Sequence, residues 1–257
     1  MPKPLSAPSR SGAQKLCLAM PLYARAKQAI LHQLREAVWK PGDKLPIEPE
    51  LAKLLDVSVG TLRHAVSDLV DEGVLVRIQG SGTYVKGLSG KFWNRFQPFQ
   101  SLDGTPLNLT HRVPVSLEVV PADAELAQKL SLERATPVIH VGRRIAIDNV
   151  FCSVDELFLP ASMFQGLSLS LFRARLREDE SLYAFYEREF RVTIIATTNR
   201  VRMVTSDRDF AEACGNPSLV GIPLGVLHRV SFSYGHIPIE DRKIRVDASR
   251  IQLSFDL

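Results

Sequence analysis

The chain is poor in cysteine: Cys17, Cys152 and Cys214 are the only three among its 257 residues. They lie far apart, are odd in number and show no CxxC spacing, which excludes a disulfide framework and leaves no zinc-ligand pattern. A reduced, cytoplasmic setting is the expectation. Long apolar runs are lacking too. No stretch approaches the roughly 18 residues of a membrane span, so no bilayer anchor is expected. Within the first twenty residues the one apolar run, Leu16 to Met20, is too short for the core of a signal peptide. The histidines are His32, His64, His111, His140, His228 and His236, and none has a partner at metal-ligand spacing. No nucleophile elbow is present, and no Gly-Lys-Ser/Thr follows the glycine-rich turn at Gly80 to Thr83. No catalytic residue, metal or cofactor is therefore expected.

A strong charge imbalance is missing as well. The net charge is only +4. From Pro21 to Gly87, where the nucleic-acid signal described below lies, nine Lys or Arg face eight Asp or Glu. Bulk basicity decides little at that balance, and any case for DNA has to come from where particular side chains sit.

What is present begins with a stripe. Leu22, Ala26, Ile30, Leu34 and Val38 recur every four residues and predict an amphipathic helix that ends at Pro41-Gly42. Glu48 to Leu55 predicts a second helix, with Pro49 tolerated in the first turn because its missing N–H has no intrahelical partner there. After the turn Asp56-Val57, Ser58 is placed to cap a third helix whose buried face is Leu62, Ala65, Val66, Leu69 and Val70. Gly73 closes it in a left-handed conformation. Val59, Gly60, Arg63, His64 and Ser67 are left on or near the outward face, where Arg63 can meet guanine O6 and N7 or a phosphate. Two short strands, Val74 to Ile78 and Thr83 to Lys86, follow. They flank a tip in which Arg77, Gln79, Gly80 and Gly82 bring backbone and charge close to phosphates or a minor groove.

Taken in order, Pro21-Leu22-Tyr23, Pro41 to Pro46, Glu50-Leu51-Ala52, Val57-Ser58, Thr61-Leu62-Arg63, Glu72-Gly73 and Gly80 to Thr83 resemble the winged helix-turn-helix of the GntR family. The resemblance implies a DNA-binding set of Lys44, Ser58, Gly60, Thr61, Arg63, His64, Arg77, Gln79, Gly80 and Gly82. Two positions depart from the family pattern. Ile47 stands in place of a capping Ser, and Val59 in place of an Arg after the Ser of the third helix.

The expected organisation is a disordered basic arm over 1–20, the reader over 21–87, a linker over 88–104 and a larger second domain over 105–257. Phe92, Trp93, Phe96 and Phe99 crowd the linker and are expected to dock. Beyond it, apolar strand patterns alternate with short helices. Strands are expected at 111–120, 138–147, 150–159, 192–205, 225–234, 237–246 and 250–255, with helices at 122–130, 167–175, 181–190 and near 207–214. The short turns Asp148-Asn149 and Gly235-His236 join neighbouring strands, which gives an antiparallel sheet in an α+β domain.

Period-two alternation sets Arg143 on the same face as Ile139, Val141, Ile145 and Ile147. A guanidinium directed at an apolar interior needs an anion, either a carboxylate such as Asp155 or Glu240 or a bound ligand. Arg143 with Asp148, Asp155 before Phe158-Leu159-Pro160, Ser181-Leu182-Tyr183 and Pro238-Ile239-Glu240 resemble the UTRA effector domain of the HutC subfamily. That domain is similar in fold to chorismate lyase. The resemblance implies an effector pocket lined by Arg143, Asp155, Ser181 and Glu240, to which Arg242 is added. Ile145 replaces a second Arg common in the family, and Asp155 is shorter than the usual Glu.

Together these features predict a ligand-responsive transcriptional regulator, a repressor acting as a homodimer on a palindromic double-stranded operator, with a small molecule, an anion among the candidates, as effector. Two alternatives stay open. One is a chorismate lyase-like enzyme. The other is a DNA binder without an effector, in which Arg143 and Glu240 form a buried pair and His228, sharing a face with Val226, Val230 and Phe232, is a satisfied core histidine.

Overall fold

The computed structural model describes residues 20–86, 99–105, 107–177 and 180–253. The expected arm up to residue 19, and Phe92, Trp93 and Phe96, lie outside the described residues. The chain divides into two compact units, residues 1–87 and 88–257.

In the first unit, helix α1 (Leu22–Arg35) buries Ala26, Ile30, Leu31 and Leu34. The expected stripe is corrected at both ends, because Leu22 and Val38 are exposed. Val38 falls beyond the last helical turn, and Leu31 fills the stripe instead. Helix α2 (Glu48–Leu54) has Pro49 in its first turn. Helix α3 (Val59–Asp71) is capped by Ser58, whose Oγ accepts the Thr61 N–H at 3.1 Å. Leu62, Ala65, Val66 and Leu69 make its buried face, and Gly73 follows with φ +70°. Removing a side chain such as Leu62, which is fully buried, costs about 2–5 kcal/mol. Strands β1 (Leu75–Ile78) and β2 (Gly82–Val85) pair antiparallel, and a bridge between Lys44 and Tyr84 ties the loop before α2 to the same hairpin.

The second unit is an antiparallel six-stranded sheet with helices on both faces. Its strands, in spatial order, are β4 (Leu109–Pro121), β5 (Pro137–Ile147), β6 (Val150–Pro160), β9 (Ile237–Asp247), β8 (Pro223–Ser233) and β7 (Ala196–Thr205). Helices α5 (Leu169–Arg175) and α6 (Leu182–Phe190) pack on one face, through Phe172, Phe185 and Tyr186 against Ile139, Val141, Leu157 and Leu159. Helix α4 (Ala124–Leu130) packs beside Val138, and α7 (Arg208–Cys214) packs beside Val154 and Val226, on the other face. The β5–β6 hairpin turns through Asp148 and Asn149, both with positive φ, the backbone signature of a tight two-residue turn between twisted strands.

Two expectations change. The strand anticipated from Val192 starts at Ala196. Phe99, assigned to the linker, lies in a strand, β3 (Phe99–Ser101), paired with β10 (Ile251–Leu253) in the second unit. Its ring packs on Ile147, Cys152, Val246 and Ile251, so this aromatic residue docks within its own unit.

Candidate functional site

The reader's functional surface is assembled from α2, α3 and the β1–β2 wing. Lys44, Arg77, Gln79, Gly80 and Gly82 line one groove between the wing and the start of α2. Gly82 has φ +136°, a backbone conformation that favours glycine, and a Cβ there would sit 2.8 Å from Lys44 Cε, so the lysine side chain would have to move aside. Ser58 and Thr61 are joined by a hydroxyl contact of 2.8 Å at the start of α3. Gly60 stands in the same turn, with only Ser58 near its missing side chain.

Not every predicted contact residue faces outward unengaged. His64 stacks on Tyr23 with ring centroids 4.1 Å apart, and its Nε2 lies 3.7 Å from Asp68. Arg63 Nε donates to Glu48 Oε2 at 2.6 Å, and Arg77 Nη2 lies 3.9 Å from Glu48 Oε1. Glu48, absent from the predicted set, therefore supplies the anion shared by both candidate DNA-contacting arginines. The sequence signal for it was its place in the first turn of α2, where a carboxylate complements the helix dipole. That signal says nothing about Arg63 fifteen residues away.

In the second unit, a small cavity, partly open to solvent, lies on the face of the sheet that carries Arg143. Strand register explains its floor. Arg143 on β5 stands directly opposite Asp155 on β6, and Arg242 on β9 reaches the same carboxylate diagonally. Arg143 donates to Asp155 Oδ2 through Nε at 3.0 Å and also through Nη2, while Arg242 donates from Nε at 2.7 Å and Nη2 at 2.8 Å. All three side chains are buried. Burial, the largest single influence, pushes the Asp155 carboxyl up, but Arg242 and Arg143 together overcome it and hold it below the ordinary carboxylate range. The same carboxylate, along with Glu240, raises the pKa of Arg242 against the cost of its burial.

Of the five predicted effector residues, Arg143 and Arg242 line the cavity and the other three do not. Asp155 is committed to the two arginines. Glu240 is fully buried and accepts from Tyr186 at 2.7 Å and Ser231 at 3.0 Å. Ser181 Oγ accepts the Ala184 N–H at 2.9 Å and caps α6. Asp155 is the carboxylate that pairs with Arg143, which also lines the cavity, and Glu240 is engaged by hydroxyls instead.

Sequence reasoning missed Arg112 and Arg229, which also line the cavity. Arg112 Nη1 donates to the Glu180 carbonyl at 2.9 Å. Arg229, almost completely buried, shares the inward face of β8 with Leu227 and Ser231. The alternation argument used for Arg143 would have found it. His228 lies on the opposite face, half-buried in a groove with Lys129 and Asp241. Desolvation and then Lys129 and Lys243 lower its pKa.

A winged helix-turn-helix in one unit and a buried cationic cavity in the other define a DNA-binding regulator with a ligand-binding domain. The comparisons give the family. Residues 22–85 match the model of the bacterial regulatory proteins of the gntR family, and residues 110–252 match the UTRA domain. The chain belongs to the gntR family, as a regulator carrying a UTRA domain, the HutC arrangement. It is 27% identical to a probable fructoselysine utilization operon transcriptional repressor of Escherichia coli over 91% of this chain and 94% of that protein. To the mannosyl-D-glycerate transport/metabolism system repressor MngR of the same species it is 31% identical, over 65% of this chain and 68% of the relative. Among solved structures, the ligand-binding domain assigned to a GntR-family transcriptional regulator from Bordetella bronchiseptica is similar at a TM-score of 0.58 and 25% identity. That likeness covers 63% of this chain and 98% of the other.

Proposed function

We propose that this regulator is a repressor, working in the cytoplasm as a homodimer on a palindromic operator, whose grip on DNA changes when a small molecule enters the UTRA cavity. The observation that carries the reading is the cavity floor: three buried guanidinium groups, from Arg143, Arg229 and Arg242, in a chain whose other unit is a DNA reader. The fructoselysine and mannosyl-D-glycerate relatives are named as repressors. Among the described residues no helix is long and apolar enough to cross a membrane.

On DNA, Arg63 takes a base edge or phosphate in the major groove, with Ser58, Gly60, Thr61 and His64 around it. Lys44, Arg77, Gln79, Gly80 and Gly82 track the backbone and minor groove from the wing. Arg143 and Arg242 face the effector, with Asp155, Ser181 and Glu240 acting behind them. Near-neutral charge in the reader and Val59 in place of a family Arg make one module a weak binder. Pairing two modules on adjacent half-sites supplies the missing affinity. No catalysis is part of this reading: the effector leaves unchanged, and its influence comes only from unequal affinity for the DNA-competent and incompetent states.

The test is selection of an operator from random duplex DNA with the purified protein, followed by anisotropy titration and sedimentation. The expected outcome is a two-fold symmetric site bound by a dimer. A monomer that binds an asymmetric site as tightly would overturn the dimer reading, and a protein that retains no duplex above background would overturn the regulator reading.

A further inference from the structure

Two isoleucines stand exposed on the reader, and both lie in the groove between the wing and the start of α2. Ile47 is 57% exposed and Ile78 49%. Local structure accounts for each. Ile47 is the extended residue that precedes α2, outside its turns. Ile78 ends β1 directly opposite Gly82, and a glycine has no side chain with which to cover its cross-strand neighbour. The same groove carries two cations. Lys44 lies against the wing, its Cε 2.8 Å and its Nζ 3.6 Å from the point where a Gly82 Cβ would stand, and Arg77 lines the groove as well. Glu48 is the one carboxylate among the lining residues, and it is shared between Arg77 and Arg63.

A single exposed isoleucine needs no explanation. Two of them set among cations in one concave strip match a particular occupant, because a nucleotide chain alternates anionic phosphate with the largely hydrocarbon edge of a sugar. The fold brings such a chain to this place. With α3 in a major groove and the wing tip in the neighbouring minor groove, the wall between the two grooves is one sugar-phosphate strand, and it crosses the protein between the helices and the wing. That crossing point is the groove lined by Lys44, Ile47, Arg77 and Ile78.

We infer that the groove seats this strand with phosphates on Lys44 and Arg77 and deoxyribose rings on Ile47 and Ile78, and that the two isoleucines select DNA against ribose. A 2′-hydroxyl pressed onto them loses its water and gains no partner, whereas the methylene of deoxyribose gains an apolar contact. The inference deepens the regulator reading and rests on it for the placement of α3 in the major groove.

The experiment is anisotropy titration of the full chain on its selected operator duplex at several salt concentrations. Ile47→Ala combined with Ile78→Ala is expected to weaken binding about five- to tenfold at every salt concentration, with an unchanged slope of log affinity against log salt, because an apolar contact releases no counterion. Lys44→Gln should instead flatten that slope by about one unit. A second arm leaves the protein unaltered. One 2′-hydroxyl is moved along each operator strand, and at every position it is compared with 2′-fluorine, which gives the sugar the same pucker preference without the hydroxyl. The hydroxyl is expected to cost about fivefold or more relative to fluorine at one or two neighbouring positions, and the double alanine variant should lose most of that penalty. Equal effects of hydroxyl and fluorine at every position would overturn the inference, as would a penalty that the alanine variant keeps in full, or an alanine variant that binds as tightly as wild type. Each of these leaves operator binding by the wild-type chain intact and sinks the inference alone. Failure of that chain to retain any duplex would sink the regulator reading and the inference with it.

Discussion

Each of the two units places a pair of arginines on one carboxylate, and the two arrangements do opposite things. In the reader, Glu48 is shared by Arg63 and Arg77 at the surface, where the arginine side chains are 65% and 46% exposed. In the effector domain, Asp155 is shared by Arg143 and Arg242 in a buried network. Water screens the first set, so its net worth to folding is small and its members can exchange partners for a phosphate. The second set has lost its hydration, and each charge depends on the others. The same chemistry is thus a release point in one unit and a fixed floor in the other, and burial makes the difference.

The sharpest way to break the contrast is to remove each carboxylate. Asp155→Ala strands two buried guanidinium groups, and a loss of about 3–5 kcal/mol in the urea unfolding of the second unit is expected. A change below about 1 kcal/mol would mean that water already reaches the pair. Replacing Arg143, Asp155 and Arg242 together by apolar residues of similar volume should restore much of that stability.

Acid probes the same set without mutation. Because the folded pKa of Asp155 lies below its unfolded value, near 3.9, its contribution is fully present above about pH 4 and is lost as pH falls through the folded pKa. Unfolding followed from neutral pH down through the acid range should show the onset of that loss in wild type and not in the triple apolar variant.

Smaller effects belong to the reader. Arg63→Ala should cost about 1–3 kcal/mol in operator affinity with an unchanged melting curve. An unaltered anisotropy titration would remove Arg63 from the interface. Glu48→Gln carries the least change: stability within about 0.5 kcal/mol, non-specific DNA affinity up a few-fold, and a salt slope steeper by about one unit. If affinity fell instead, Glu48 would be orienting Arg63 for DNA rather than competing with it.

Some features of this molecule are legible without its tertiary structure. The helix periodicity of α1 and α3, the Ser58 cap, Gly73 and the Asp148-Asn149 turn are all decided within a few residues, by 3.6- and two-residue repeats, left-handed backbone positions and side chains that reach the nearest N–H. They are written in the sequence and were read there. Arg143 was placed on the inward face by the same local logic, and Arg229 was equally open to it.

Partnership was not legible. Glu48 meets Arg63 fifteen residues on, Arg242 meets Asp155 across 87 positions, and Phe99 reaches β10 from what looked like a linker. The sequence by itself determined the reader's three helices, the inward face of Arg143 and the family the chain joins. Only the tertiary structure decided which carboxylate each arginine finds, and so which guanidinium is left facing the cavity. Strand order and register bring together residues far apart in the chain, and Coulombic pairing depends on that distance in space and on exclusion of water, neither of which a local pattern contains.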